Sequence, residues 1–148
     1  MGTRRRGREL ALQALYLVTL AGDEAERSLE EFWPSCEGGA EARSFGRRLV
    51  EGVREGRERI DALIAASSEH WRLGRLSRVD LNILRVATYE LLSCPEVPTR
   101  VVIDEAIEIA KRFGSSDSPT FVNGVLDHVA SSIGAPPGSG APSRSPSD

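Results

Sequence analysis

An all-α fold is predicted for this 148-residue chain by three features of its sequence. No stretch sustains the alternation of apolar and polar residues that a half-buried strand needs, several segments repeat apolar residues at helical spacing, and capping signals bound those segments. With 40% hydrophobic and 28% charged residues, the composition suits one globular domain whose core is large enough to fold unaided.

The first helix is expected to start after Thr3 and to run to about Leu20, with Leu10, Ala14 and Val18 along one line and Ala11 and Leu15 along the next. Leu12, Tyr16, Leu17 and Leu20 widen its apolar surface, which predicts a central place in the core with the arginine-rich beginning projecting outward. Gly22 and Asp23 end it. A short second helix is suggested by Ser28 and Glu31 at capping-box spacing, ending at Trp33 because Pro34 disfavours helical conformation in the residue before it. Cys36 to Gly39 then reads as loop. From Glu41 to Ser68 the series Phe45, Leu49, Val53, Ile60, Leu63 and Ile64 keeps helical spacing, interrupted by Gly46, Gly52 and Gly56. Those glycines cost helix stability, so they point to close helix contact or a bend, with a break into two helices near Gly56.

The clearest start signal is LSRVDL, in which Ser77 caps the following helix, Asp80 takes the reciprocal third position and Leu76 and Leu81 match a hydrophobic staple. This helix carries Val79, Ile83, Val86, Ala87 and Leu91 towards the core and stops before Pro95. The next runs from Thr99 or Arg100 to Phe113, with Val102, Ala106, Ile109 and Phe113 on one face beside Ile103, Ile107 and Ala110; Gly114 is its stop. Ser118 and Pro119 open the last helix, whose buried face is Val122, Val125, Leu126 and Val129. Residues 1–133 are thus expected to form the folded domain, and residues 134–148, rich in Pro, Gly and Ser, a disordered tail.

Nineteen basic residues against 22 acidic ones leave a net charge of −3, which excludes a whole-surface attraction to nucleic acid or membrane, so anion binding has to be local. Two cysteines and two histidines, without CxxC or HxxxH spacing, argue against a structural zinc site or a disulfide framework and for reduced thiols in a cytoplasmic protein. No apolar run approaches membrane-spanning length, and MGTRRRGRE lacks the apolar core of a secretory signal.

Arg4, Arg5, Arg6 and Arg8 place four positive charges and no acid in the first eight residues. The N-terminal end of a helix carries a positive partial charge, so cations there ask for an anion alongside. Helical spacing lets three of these guanidinium groups share one face and track a phosphate backbone; composition alone leaves a frayed basic tail equally open. A second candidate is the turn from Phe113 to Pro119 with Phe121 and Asn123, where backbone N–H groups, serine hydroxyls and two rings can hold phosphate and stack an unpaired base. Its plainer reading makes Ser118 a cap, Asp117 a complement to the helix dipole and both phenylalanines core. Asp104 and Glu108 read as a solvated helix face, and neither His70 nor His128 has a partner in sequence that supports catalysis. No GxxxxGK[ST] or GxGxxG phosphate loop occurs, and the residues do not assemble into an enzyme's set of parts, so no catalytic residue, metal or cofactor is expected.

Three blocks, RRRGRELALQALY from Arg4, SRVDLNILRVATYELL from Ser77 and VPTRVVIDEAIEIAKRFGSSDSPTFVNGVLD from Val97, together resemble the NusB family of bacterial transcription antitermination factors. The resemblance covers residues 4–133; the third block is the most specific, and residues 23–71 agree only in helical character and spacing. It implies about seven helices in two packed three-helix bundles, binding to the single-stranded boxA element of nascent ribosomal transcripts together with the ribosomal protein NusE, and loading onto elongating RNA polymerase with the other Nus factors. It implies that RNA meets Arg4, Arg5, Arg6 and Arg8, then Phe113, Ser115, Asp117, Phe121 and Asn123 at the helix junction, with Gln13 as a weaker candidate. For NusE it implies Tyr16, Asp80 and Arg85. Arg112 and some neutral residues stand where the family often has lysine, and the tail lies outside the shared pattern. Free monomer and homodimer are both compatible with this reading; a homodimer that hides the NusE-facing surface and has only a minor RNA role is the rival.

Overall fold

The computed structural model describes residues 2–68 and 76–134. Seven α-helices follow one another there: α1 (Thr3–Ala21), α2 (Ala25–Ser35), α3 (Gly39–Glu55), α4 (Arg57–Ser67), α5 (Arg78–Ser93), α6 (Thr99–Phe113) and α7 (Ser118–Ile133), with a 3-10 turn at Gly22–Glu24. The described residues contain no strand, as the periodicity predicts. The chain divides into two compact units, Met1–Glu55 and Gly56–Asp148. The first holds α1 to α3 and the second α4 to α7, so the second bundle has four helices where the resemblance implies three. His70, Trp71 and the expected tail beyond Gly134 lie outside the described residues.

In the first unit α1 packs on α2 and α3. Its Leu10, Ala11, Ala14 and Leu15 are buried, as are Leu29 and Trp33 of α2 and Ala42, Phe45, Leu49, Val50 and Val53 of α3. The two longer helices meet at backbone distance. A Cβ on Gly46 would come within 2.9 Å of the Gly7 carbonyl oxygen, and one on Gly7 within 2.9 Å of the Phe45 ring and 3.0 Å of the Ala42 oxygen. Gly46 therefore serves close helix contact, as its position in an apolar series predicts. The central burial expected of α1 holds only for its first half: Tyr16 and Leu20 are 49% and 64% exposed, because its apolar surface is wider than its neighbours cover.

Helix α2 corrects two local readings. It begins at Ala25, so Ser28 lies inside it and is no cap, and it continues through Pro34 to Ser35. The reason is a buried stripe at four-residue spacing, Ala25, Leu29 and Trp33, which extends on both sides of Ser28. Proline in the last turn forfeits one backbone bond on an exposed face. The end is secured by Ser35 Oγ donating to the Phe32 carbonyl at 2.7 Å and by the Cys36 N–H donating to that of Trp33 at 3.2 Å. The break expected near Gly56 is present, with α3 ending at Glu55 and α4 starting at Arg57.

In the second unit α5 packs on α4, α6 and α7, and α6 pairs with α7. The cap read from LSRVDL forms: the Asp80 N–H donates to Ser77 Oγ at 3.0 Å. Ser77→Ala is expected to cost about 1 kcal/mol of stability, read as a lower urea midpoint with an unchanged slope. The core is Ile83, Leu84, Val86 and Ala87 of α5, Val102, Ile103, Ala106, Ile109 and Ala110 of α6, and Val122, Val125, Leu126 and Val129 of α7. Gly134, at φ +73°, closes α7 in the left-handed conformation that glycine adopts without strain. No helix among the described residues is long and apolar enough to cross a membrane.

Candidate nucleic-acid interface

Helix α1 starts from Gly2 with no side-chain cap and no acid in its first turn, so its positive end is reinforced by the arginines. The structure gives those four residues different surroundings. Arg4 is exposed, its guanidinium carbon 4.6 Å from the centroid of the Phe45 ring, and Arg5 is half-buried. Arg6 turns onto its own unit: Nε donates to the Glu37 carbonyl at 3.0 Å and Nη1 to Glu9 Oε1 at 3.3 Å. Arg8 is only 4% exposed, with its guanidinium carbon 5.6 Å from the same Phe45 ring. The expectation that the arginine-rich beginning projects outward is thus corrected for Arg8. Arg4 and Arg8 share one face, but a helix rises about 6 Å over four residues, and over that rise the side chain passes from exposed at position 4 to buried at position 8.

Sequence reading missed three neighbours of this face. Phe45 reads as plain core, yet its ring takes two cations, because the missing side chain of Gly7 lets the ring lie against α1. Arg43 donates from Nη1 to the Cys36 carbonyl at 3.2 Å, so Arg6 and Arg43 both hold the loop between α2 and α3. Burial pushes the Cys36 thiol up, against the lowering pull of Arg6 and Arg43, so it stays protonated at neutral pH and is a poor nucleophile. Gln13 is exposed further along α1. Helical periodicity within α1 carries no signal for these partners, since they come from α3 and the loop before it.

The second unit carries the helix junction. Phe113 ends α6 and is 42% exposed, which corrects its assignment to the core face; the Arg112 guanidinium carbon lies 5.0 Å from its ring centroid. Gly114 is extended, not left-handed, and a Cβ there would overlap the side chain of Ser118, so closeness and not handedness demands glycine. Ser118 is buried and forms the first residue of α7 instead of its cap. Its Oγ accepts from the Ser115 N–H at 2.9 Å and lies 3.3 Å from Ser115 Oγ. Asp117 occupies the cap position without a side-chain cap bond. At the surface the corner presents the Phe113 ring, Ser115 and the Asp117 carboxylate, with Phe121 and Asn123 half-buried beside them in the sequence of α7. An exposed ring next to hydroxyl and carboxylate groups can stack a base and hydrogen-bond its edge.

Of the residues assigned to a protein partner, Tyr16 is exposed, whereas Asp80 is buried with Oδ1 lacking a hydrogen-bond partner. Arg85 is spent inside its unit: Nε and Nη2 grip both carboxylate oxygens of Asp61 at 2.8 and 3.0 Å, and Nη1 reaches Asn82 at 3.4 Å. That two-pronged pairing joins α4 to α5 and leaves the guanidinium little to offer outward. Asp104 and Glu108 pair with Arg100 at 3.4 Å and Lys111 at 3.1 Å, as a solvated face should. His128 Nδ1 lies 3.1 Å from Ser67 Oγ and links α7 to α4. Among the described residues no group of three or more His, Cys, Asp or Glu is arranged to hold a metal.

Comparison with known proteins extends this picture. The sequence model of the NusB family matches residues 5–131. The transcription antitermination protein NusB of Geobacter sulfurreducens is 53% identical over 134 residues, covering 90% of this chain and 97% of its own length. That of Myxococcus xanthus is 46% identical over 140 residues, covering 92% of this chain and 100% of its own. Among solved structures, T. maritima NusB superposes with a TM-score of 0.76 at 45% identity, covering 86% of this chain and 89% of that one.

Proposed function

The chain belongs to the NusB family of transcription antitermination proteins, and from that premise we propose that it binds single-stranded boxA RNA of nascent ribosomal transcripts with NusE and acts on elongating RNA polymerase with the other Nus factors. The observation that supports this reading best is the extent of the family match, residues 5–131, which takes in Arg5, Arg6 and Arg8 of α1 and the α6–α7 junction. The reading describes an adaptor without catalysis. Arginine contacts to phosphate set register, and the ring and polar groups of the junction select unpaired bases.

Arg4 and Arg5 are the phosphate-contacting residues in this proposal, with Gln13 nearby on α1; Arg6 and Arg8 support them from within the unit. Phe113, Ser115, Asp117, Phe121 and Asn123 form the base-facing part. For NusE we assign the exposed Tyr16 and Leu20 of α1. With a net charge of −3 the chain alone binds RNA modestly, and NusE, by adding a second RNA-contacting surface, raises affinity through effective concentration.

Two to four phosphate contacts on a single strand give a slope of log affinity against log salt of about −1.4 to −2.8. The double variant Arg4→Ala, Arg5→Ala should flatten that slope by about 1.4. Titration of labelled boxA RNA at several salt concentrations, with a scrambled control and with and without NusE, measures this. Equal affinity for boxA and scrambled RNA would refute the assignment, and a stable dimer that ignores RNA would favour the homodimeric rival.

A further inference from the structure

The ring of Phe45 lies beside two of the arginines at the start of α1. Its centroid lies 4.6 Å from the guanidinium carbon of Arg4 and 5.6 Å from that of Arg8. Arg8 and Phe45 are buried, at 4% and 8% exposure, while Arg4 is exposed. The ring is set against α1 by the bare backbone at Gly7, where any Cβ would come within 2.9 Å of its edge. One aromatic ring thus has a buried cation and an exposed cation beside it. We propose that Phe45 is a positioning residue for RNA binding, which holds the Arg4 guanidinium through its ring face so that the arginine meets a phosphate already oriented. The inference rests on the RNA-binding reading above and deepens it.

The physical case has two parts. An arginine at the rim of a helix start has many rotamers, and freezing them on contact with RNA weakens binding; a ring that already restricts the side chain removes part of that cost. The ring attracts the cation through its electron-rich face and takes none of the five N–H donors, so holding the guanidinium and presenting it are compatible. An aliphatic residue of similar size would fill the same space under α1 without this attraction.

The test replaces Phe45 in the full chain by mono-, di- and trifluorinated phenylalanine, which withdraw charge from the ring face while nearly keeping its shape, and titrates each protein with labelled single-stranded boxA RNA. Affinity should fall stepwise, by about two- to fivefold in all, the range expected for an exposed cation–ring contact. In an Arg4→Ala background the same series should leave affinity flat; that readout separates positioning from packing, since a packing defect would weaken both backgrounds alike. If Arg4→Ala weakens binding but fluorination does not, the inference fails while the RNA reading stands. If the unmodified chain does not distinguish boxA from scrambled RNA, that reading fails and takes the inference with it.

Discussion

Gly46→Val is expected to lower the stability of the first unit by roughly 3 kcal/mol, at the upper end of what overpacking costs. The first added carbon would stand 2.9 Å from the Gly7 carbonyl oxygen, a backbone atom of α1 that cannot swing aside, and 3.4 Å from both Leu10 Cβ and Trp33 Cζ3. Two further methyl groups then have nowhere to go unless α1 and α3 part. Gly46→Ala should cost less, because alanine regains about 1 kcal/mol of helix propensity over glycine and adds only one carbon. Trp33, buried within 3.4 Å of the new atom, reports the change directly. Its fluorescence followed through urea unfolding, with Trp71 replaced by phenylalanine, should show the midpoint falling from wild type to Ala to Val. Equal midpoints would mean that the helices do not touch at this pair of glycines.

Phe113→Ala is expected to separate binding from folding. The ring is 42% exposed at the end of α6, so its removal should shift stability by no more than about 0.5 kcal/mol. Loss of a stacked base, in contrast, costs about 1–3 kcal/mol, or roughly a five- to 150-fold weaker complex. Measuring boxA affinity and the urea midpoint on the same preparation tests both halves. A large loss of stability would return Phe113 to the core, and an unchanged affinity would remove it from the RNA surface. The comparison matters because apolar spacing placed Phe113 on the same face as Val102, Ala106 and Ile109, all three of which are buried.

That face marks a limit of what the sequence encodes locally. Signals confined to a few neighbouring residues were legible: the Ser77 cap, the break at Gly56, the Pro119 start and the close contact at Gly46 all stand where the sequence places them. The reading of α2 failed because two local rules, a capping-box spacing and the effect of proline on its predecessor, were weaker than the buried stripe of Ala25, Leu29 and Trp33. At the junction, Asp117 and Ser118 are both plausible caps, and the choice fell to the tertiary need to tuck Ser118 against Gly114. The surroundings of the candidate site residues were not legible in the sequence. Arg6 finds its carbonyl 31 residues away and Arg85 its carboxylate 24 residues away, and no periodicity encodes such partners. Arg8 is the clearest case, since the four arginines among the first eight residues look alike in sequence, yet Arg8 is buried and Arg4 exposed.

The inward turn of Arg8 and the commitment of Arg6 to the loop at Glu37 also bear on how fast a complex assembles. Long-range attraction that speeds encounter grows with outward-facing charge, and here a molecule of net charge −3 keeps much of its leading positive charge within its own structure. On the proposed reading, encounters with a transcript should therefore gain little acceleration from afar. In the proposed complex, discrimination between transcripts would fall to residence time, the interval for which a correctly seated strand resists escape, and a tethered partner would act chiefly by prolonging that interval.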